Sequence, residues 1–587
     1  MKAVVMAGGE GSRLRPITAN RPKPLAPVVN RPIMEHILLL LKEQGIEQVV
    51  ATVYYLADAI EGYFGDGEAW GIPIHYSLED TPLGTAGSVK QAEEHLRDDS
   101  FVIVSGDALT DIDLGAAIDF HRKRQSMATI VLSHVPNPLE FGVIITDDDG
   151  RIRRFLEKPS WGEVFSDTVN TGIYVLEPKV LDYIPSGKVV DFSQDVFPQL
   201  LANNDNLFGF VSSGYWCDVG NIAEYMRANA DVLLGRVNVG PIGTEISPGV
   251  FVEGDGVEIA PDAQIYGPVF LGEGVKIKGG AIVRGPTVLR DLVIVDTRAQ
   301  VDRAVIWRNT YLGERSEVRG AIVCRQCSIR ARAMVFEGAV IGDQTGVGEG
   351  AMIQPGVKIW PDKEIEAGAV IRNSLIWGSQ GRRTLFSRWG VSGLVNIDMT
   401  PEFAARFATA YGSTLSKGAS VVVNRDYHRS PRMIKRAIIS GLPSVGINAL
   451  DVKSQPIPVV RYITRHSNAV GGIHVRLSPY DARVVDIKLL DKDGLDLDRK
   501  TERRIENLYF REDVRRVFLD EVGLILEQPQ LASSYSADFV KALGNSTSVD
   551  GSRTVIVDYA HSPAAATLGP ILSRLHWRVV ALNADDD

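Results

Sequence analysis

Cysteine is scarce in this chain: three in 587 residues, Cys217, Cys324 and Cys327. Only the last two stand in a Cys-x-x-Cys spacing. Neither a second pair nor a histidine cluster completes a zinc site, so the pair reads as structural. Long hydrophobic runs are also missing. The longest aliphatic stretch, Ile37 to Leu41, is far too short to span a bilayer. Met1-Lys2 leads straight into a strand, so no signal peptide is expected and the protein reads as cytoplasmic, with no membrane partner. Positive charge is in deficit, 63 Lys and Arg against 73 Asp and Glu, a net charge of -10. That balance speaks against a nucleic-acid binder, and any polyanionic ligand must be held by local cations. The rest of the composition, 45% hydrophobic and 23% charged, is ordinary for globular domains. The length suggests roughly three or four of them.

What is present is concentrated at the start. An apolar strand, Ala3 to Met6, runs into Ala7-Gly8-Gly9-Glu10-Gly11-Ser12-Arg13, and Lys23 follows between Pro22 and Pro24. Small residues after a strand let backbone N–H groups approach a phosphate chain. Arg13 supplies a planar fork for phosphate oxygens and Lys23 a compact point charge. The spacing is neither a Walker A loop nor a dinucleotide fingerprint. The whole string resembles the signature of sugar-nucleotide pyrophosphorylases, which join a sugar 1-phosphate to a nucleotide.

Residues 1–235 alternate strands (Gln48–Tyr54, Phe101–Ser105, Ala128–Leu132, Gly172–Leu176) with helices (Ile33–Glu43, Thr85–His95, Leu114–Arg124, Ile222–Leu234). The pattern predicts a Rossmann-like, mostly parallel α/β domain with ligands at the carboxyl ends of its strands. Over 240–380 the period changes to six. Apolar residues recur from Ile259 through Leu271, Val283 and Val295 to Trp307, then, after a slip, from Ile329 through Ile341 and Ile353 to Trp377. A hexapeptide period predicts a parallel β-helix. Its left hand is implied by resemblance to hexapeptide-repeat domains. Such domains also occur as acyltransferases with a histidine base, but no histidine lies between His134 and His428. An oligomerisation or regulatory module, and so a homo-oligomer, is expected instead.

Nucleotidyl transfer needs cations around the α-phosphorus and the departing pyrophosphate, and Mg²⁺ held by one or two carboxylates suits it. Asp107 follows a buried strand in Ser105-Gly106-Asp107, and Asp218 precedes a helix in Trp216-Cys217-Asp218. Each singly reads equally well as a turn or cap residue. The family resemblance implies the metal role for both. It also implies that Ala7, Gly8, Gly9, Gly11, Ser12, Leu83, Gly84, Thr85 and Gly106 meet the nucleotide. On the same ground Gly142, Glu157, Lys158 and Asn170 meet the sugar phosphate, while Arg13 and Lys23 neutralise the triphosphate. Arg13 to Thr18, Arg21 to Leu25 and the order of modules resemble the mannose-1-phosphate guanylyltransferase branch. That implies GTP and mannose 1-phosphate as substrates. The alternatives are ATP, UTP or dTTP with glucose 1-phosphate, or a regulatory subunit that senses sugar nucleotide.

From Arg383 a third composition begins. FSRWGVSG (Phe386 to Gly393), Val421 to Asp426 and Gly471-Gly472-Ile473 resemble domain I of phosphohexomutases over 383–500, with the start of a domain II over 501–587. The resemblance is incomplete. Ser478 falls at the phosphoserine position without the family's His-Asn-Pro, Ser392 replaces an arginine, and no Asp-Gly-Asp-Gly-Asp-Arg loop follows before Asp587. No mutase turnover is expected, which leaves a structural or phosphosugar-sensing role.

Overall fold

Strand β1, Lys2–Met6, buries Ala3, Val4 and Val5 completely and occupies the middle of the first sheet. This computed structural model describes residues 1–157, 166–376, 380–381, 384–543, 554–574 and 577–584. They fall into two units, Met1–Gly381 and Arg382–Asp587.

The first domain continues with β2 (Gln48–Val53), β3 (Ile74–Leu78), β4 (Phe101–Ser105), β5 (Ala108–Thr110), β6 (Ala128–His134), β7 (Gly142–Thr146), β8 (Ile152–Glu157), β9 (Thr168–Leu176), β10 (Leu207–Val211) and β11 (Trp216–Asp218). The main sheet runs β8-β7-β9-β4-β1-β2-β3, with β6 lying between β9 and β10. The domain's helices include α1 (Ile33–Glu43), α2 (Gly84–Gln91), α3 (Leu114–Arg124) and α4 (Ile222–Leu233). Two start on side-chain caps: Asp113 accepts from Ala116 N–H at 2.8 Å, and Asn221 from Glu224 N–H at 2.9 Å.

The expectation of a mostly parallel sheet needs correction. Strands β4, β1, β2 and β3 are parallel, but β9 runs antiparallel to β4, β6 and β7. The reason is connection length. Residues 147–151 between β7 and β8 are too few for a crossover, so the chain doubles back as a hairpin.

Residues 244–371 wind through three sheets of two- to four-residue strands, which are parallel throughout apart from the opening pair Thr244–Ser247 and Val250–Val252. Leu271, Val283, Leu289, Val295, Ile329, Ile341, Ile353 and Ile359 have no exposed surface and stack inside the coil. Ile259, on the first coil, is 37% exposed because nothing covers it from below. Trp377 lies outside the described residues. One reading is overturned: Trp307 does not belong to the inward series. Ile306 takes that place, stacked between Leu289 and Val323. The inward positions run Val301, Ile306, Leu312, Val318, Val323, Ile329. Two sides of the coil are one residue short, which is the slip in the period. Trp307 therefore points outward, into the core of the first domain. Cys324 also faces that domain and Cys327 the coil interior; both are buried and free.

The second unit is a seven-stranded sheet in the order Phe386–Ser387, Gly390–Leu394, Val484–Asp491, Gly471–Leu477, Ser420–Arg425, Asn448–Ser454, Ile525–Glu527. Helix Pro401–Ser413 packs on Arg429–Gly441 through Phe407, Ala408, Ile434 and Ile438. The expected boundary at 500–501 falls inside helix Arg499–Arg511, whose Ile505 is buried in the same core. Thr554–Asp558 and Arg578–Leu582 pair in a separate parallel ribbon. Ser478 sits in a turn, its N–H bonded to Val484 O at 2.9 Å, and Ser392 donates to Asp486 at 2.7 Å. No helix among the described residues is long and apolar enough to cross a membrane.

Candidate active site

The carboxyl ends of β1 and β4 are parallel neighbours, Met6 beside Ser105. Ala7 N–H donates to Thr52 O of β2 (2.9 Å), and Gly106 N–H donates to Met6 O (2.8 Å), which ties the loop after β4 to the end of β1. A Cβ on Gly106 would stand 2.8 Å from Met6 O, so only glycine permits that approach. Asp107 follows at once. Strand β5 then pairs with β11 in the register Ala108↔Asp218, which brings the two aspartates together from 111 positions apart in sequence (218 less 107).

Lys23 closes the cluster. Its Nζ donates to Asp107 Oδ2 at 2.5 Å and to Asp218 Oδ1 at 3.2 Å. Its side chain is 7% exposed, while Asp107 and Asp218 open to the cleft with 32% and 27%. Ser105 Oγ donates to the other Asp107 oxygen at 2.5 Å. The lysine is held in place by the glycine-rich turn. Gly11 adopts φ 60°, and a Cβ there would meet Lys23 Cβ at 3.0 Å.

The charges are unevenly settled. Burial works against the Lys23 ammonium, but the two carboxylates outweigh it and raise its pKa. Burial also opposes ionisation of Asp107, yet Lys23 and the Ser105 hydroxyl hold that carboxyl below its usual range. Asp218 moves the other way: burial and the Asp107 charge push it up, and Lys23 only partly offsets them. Two carboxylates thus share one ammonium, with the Arg13 charge acting on Asp218 as well. No group of three or more His, Cys, Asp or Glu side chains gathers for a metal among the described residues. Two carboxylates are nevertheless what a Mg²⁺ ion usually takes from a protein when substrate phosphates supply the remaining oxygens. The residues fit that ion, with Lys23 standing where a cation is wanted.

Arg13 lies beside this group. A Cβ on Gly220 would crowd Asp218 Oδ2 at 3.0 Å and stand 3.5 Å from Arg13 Nη2. Arg13, Asp218, His134, Phe141 and Trp216 line a cleft of about 380 Å³. Gly9 and Ser12 are exposed at its turn, whereas Ala7 is buried. Gly8 is close to Glu79: a Cβ there would stand 3.2 Å from Glu79 Oε1. Glu79, absent from the sequence-based set of site residues, has its pKa raised by burial, and Leu83 N–H donates to it at 2.9 Å.

Gly84 has φ 76° and lies against Val190 O, where a Cβ would stand at 2.6 Å. The Thr85 hydroxyl is turned to Asp191 (2.8 Å) and accepts from Phe192 N–H (2.9 Å), so it braces this loop against residues 190–192. Asn170 is similarly engaged within the fold. Its Nδ2 donates to Tyr174 OH and Ser193 Oγ at 3.0 and 3.1 Å, and its Oδ1 accepts from Gly172 N–H at a bulge. Gly142 opens β7 opposite Glu157. The Glu157 side chain and all of Lys158 lie outside the described residues. Sequence reasoning missed Ser105, two residues before Asp107. It also missed Trp216, whose Nε1 donates to Thr171 O at 3.0 Å while Phe141 packs edge-on at 5.4 Å.

Residues 2–234 match the nucleotidyl transferase family, 265–376 the GMPPB C-terminal domain, and 383–516 the phosphoglucomutase/phosphomannomutase alpha/beta/alpha domain I. The chain is 38% identical over 330 residues to a UTP--glucose-1-phosphate uridylyltransferase of Synechocystis sp., covering 53% of this chain and 84% of that protein. It is 37% identical over 284 residues to a mannose-1-phosphate guanylyltransferase of Mycobacterium tuberculosis (46% and 79%). With a mannose-1-phosphate guanyltransferase of Candida albicans the identity is 33% over 384 residues (64% and 100%). The chain belongs to the sugar-phosphate nucleotidyltransferase family. Its catalytic domain is followed by a hexapeptide β-helix and a phosphohexomutase-like domain I region.

Proposed function

We propose that the chain condenses GTP with α-mannose 1-phosphate to GDP-mannose and pyrophosphate. The observation that carries this reading is the convergence of Lys23, Asp107 and Asp218 beside Arg13 and the glycine-rich turn. The match of 265–376 to the GMPPB C-terminal domain and the alignment over the whole Candida relative favour the guanylyl branch. A second reading, UTP with glucose 1-phosphate, draws on the Synechocystis relative.

In the proposed reaction a sugar phosphate oxygen attacks the nucleotide α-phosphorus in line. A new P–O bond forms there while the bond to the β-phosphate oxygen breaks, and its electron pair leaves on pyrophosphate. Asp107 and Asp218 would hold Mg²⁺, which would supply positive charge for the phosphates. Arg13 and Lys23 neutralise charge on the leaving pyrophosphate. Lys23 gives up its carboxylate partners to do so. The family resemblance gives Glu157 and Asn170 the sugar hydroxyls, Gly142 a place near the sugar and Lys158 the sugar phosphate, with Asn170 exchanging its bonds within the fold for the sugar. The sugar phosphate is itself the nucleophile, so no covalent enzyme intermediate is needed. The β-helix serves assembly of a homo-oligomer.

Pyrophosphate release across four nucleoside triphosphates and mannose or glucose 1-phosphate, with and without Mg²⁺, tests this. A metal-dependent signal with GTP and mannose 1-phosphate alone is expected. A preference for UTP with glucose 1-phosphate moves the specificity to the second reading, and a blank result from folded protein removes both.

A further inference from the structure

Four arginines line one cleft where the first domain meets the β-helix. Arg21 comes from the first domain, and Arg290, Arg308 and Arg325 from successive coils, around a volume of about 250 Å³. Each coil returns the chain to the same face after 17 or 18 residues, as the pairings Leu289↔Ile306, Ile306↔Val323 and Val323↔Ile341 show. That register stacks Arg325 on Arg308, with Arg290 one residue earlier, level with Trp307, and all three line the cleft. Tyr63 and Pro32 also line the cleft.

The charge in this cleft is not balanced. Asp343 pairs with two of the arginines, 3.5 Å from Arg21 Nη2 and 2.8 Å from Arg325 Nε. Glu35 lies nearby, but it accepts from Tyr63 OH at 2.9 Å and pairs with Arg31 at 3.8 Å. Arg290 is bonded to Asn30 through neutral acceptors, Oδ1 and the main-chain O, both at 3.2 Å, and the Asp291 charge nearby offsets only part of its burial. Arg308 makes no ion pair among the described residues, and Arg21 Nε is buried with no acceptor. The Arg21 guanidinium lies over the Trp307 ring at 4.3 Å, and Trp307 Nε1 is held by Tyr225 OH at 3.0 Å. Several guanidiniums with spare donors, one of them stacked on an aromatic ring, form a receptor for a multiply charged oxyanion. Burial depresses the pKa of both Arg21 and Arg290, the cost of holding cations here without enough anion.

We propose that this cleft binds the phosphate group of a small phosphorylated metabolite and passes its occupancy to the active site through Arg21-Pro22-Lys23. The path is short and stiff. Arg21 enters the cleft, Pro22 and Pro24 restrict the backbone, and Lys23 carries the contacts to Asp107 and Asp218. An anion that draws Arg21 away from Asp343 shifts the segment that places Lys23. The ligand is an effector bound outside the cleft that holds Arg13 and Asp218, whose lining shares no residue with this one.

The test is equilibrium dialysis of labelled inorganic phosphate against the full chain, Arg308→Glu and Arg13→Ala. Arg308 is exposed on a coil corner, so its replacement leaves the fold intact; a thermal melt checks this, with Arg308→Gln as the milder variant. Phosphate binding at least tenfold weaker in Arg308→Glu, and within about twofold of wild type in Arg13→Ala, is the expected result. Any other pattern overturns the proposal: no binding to wild type, or loss confined to Arg13→Ala. Loss shared equally by both variants overturns it as well. The relay is read by turnover. Phosphate changes the rate of the wild type and leaves that of Arg308→Glu at its unchanged basal value; an equal response in both overturns the coupling. Dialysis needs no turnover, so failure of the reaction proposed above is separable from failure of this site.

Discussion

At the scale of single residues, the site depends on one lysine shared by two carboxylates. Asp107→Asn keeps the side chain's shape and its Ser105 contact but halves the anionic charge facing Lys23. We expect turnover to fall by about 10²-fold or more while the thermal midpoint stays within a few degrees, as read by pyrophosphate release and a melting curve. Wild-type activity in this variant removes the metal assignment. Gly11→Ala probes the same lysine from its other side. The left-handed backbone costs an alanine about 1–2 kcal/mol, and the new methyl crowds Lys23. Stability and activity are expected to fall together. An alanine variant with native kinetics would show that the turn does not set the lysine's position.

Elements obey simpler rules. Within the β-helix the cost of a change follows the stack rather than the sequence spacing. Ile341 has neighbours above and below in every direction, and Ile341→Ala is expected to cost about 2–5 kcal/mol in chemical denaturation. Ile259→Ala, at the open end, is expected to cost about 1 kcal/mol or less. Trp307 carries the more informative comparison, because the hexad places it inside and the fold places it outside. Trp307→Ala leaves the coil interior intact and removes both the Tyr225 bond and the stacked Arg21. It therefore loosens the join to the first domain, seen as proteolysis near that join with the coil core still protected from hydrogen exchange. Equal loss of protection throughout the coil would return Trp307 to the interior series. The hexapeptide reading was legible because stacking demands the same residue class at every turn. The slip was not, since a five-residue side looks like a break until strand pairing shows which residue replaces which.

For the whole molecule, acid is the revealing condition. His474 is buried in the second unit. Burial, with Arg476, Lys488 and Arg461 nearby, lowers its pKa to about 3. Its Nδ1 faces the Asn424 amide at 2.7 Å, where the neutral ring accepts and a protonated ring would set donor against donor. In the first unit burial lowers His36 to about 4. Both folded-state values lie below the ordinary 6.5, so the unfolded chain binds more protons between 6.5 and the folded pKa. The stability these rings confer is complete above pH 6.5. It is lost as pH falls toward about 4 for His36 and about 3 for His474. Histidine carbon resonances of the native protein should show both rings neutral at pH 5, with the unfolding midpoint of each unit falling below pH 6.5. A ring that titrates near 6.5 in the native state contradicts this.

Composition, the phosphate-binding turn, the six-residue period and the change of composition at Arg383 were determined by the sequence itself. Each is local or repetitive: a turn is set by its own residues, and a coil by a residue class that recurs. Tertiary structure alone decided that the sheet is mixed, because a five-residue hairpin leaves no room for a crossover. It also decided that Lys23 lies between Asp107 and Asp218, that Thr85 and Asn170 are bonded within the fold, and that four arginines from distant segments share one cleft. Those facts depend on strand register and on how the coils pack against the first domain, which join residues tens to hundreds of positions apart.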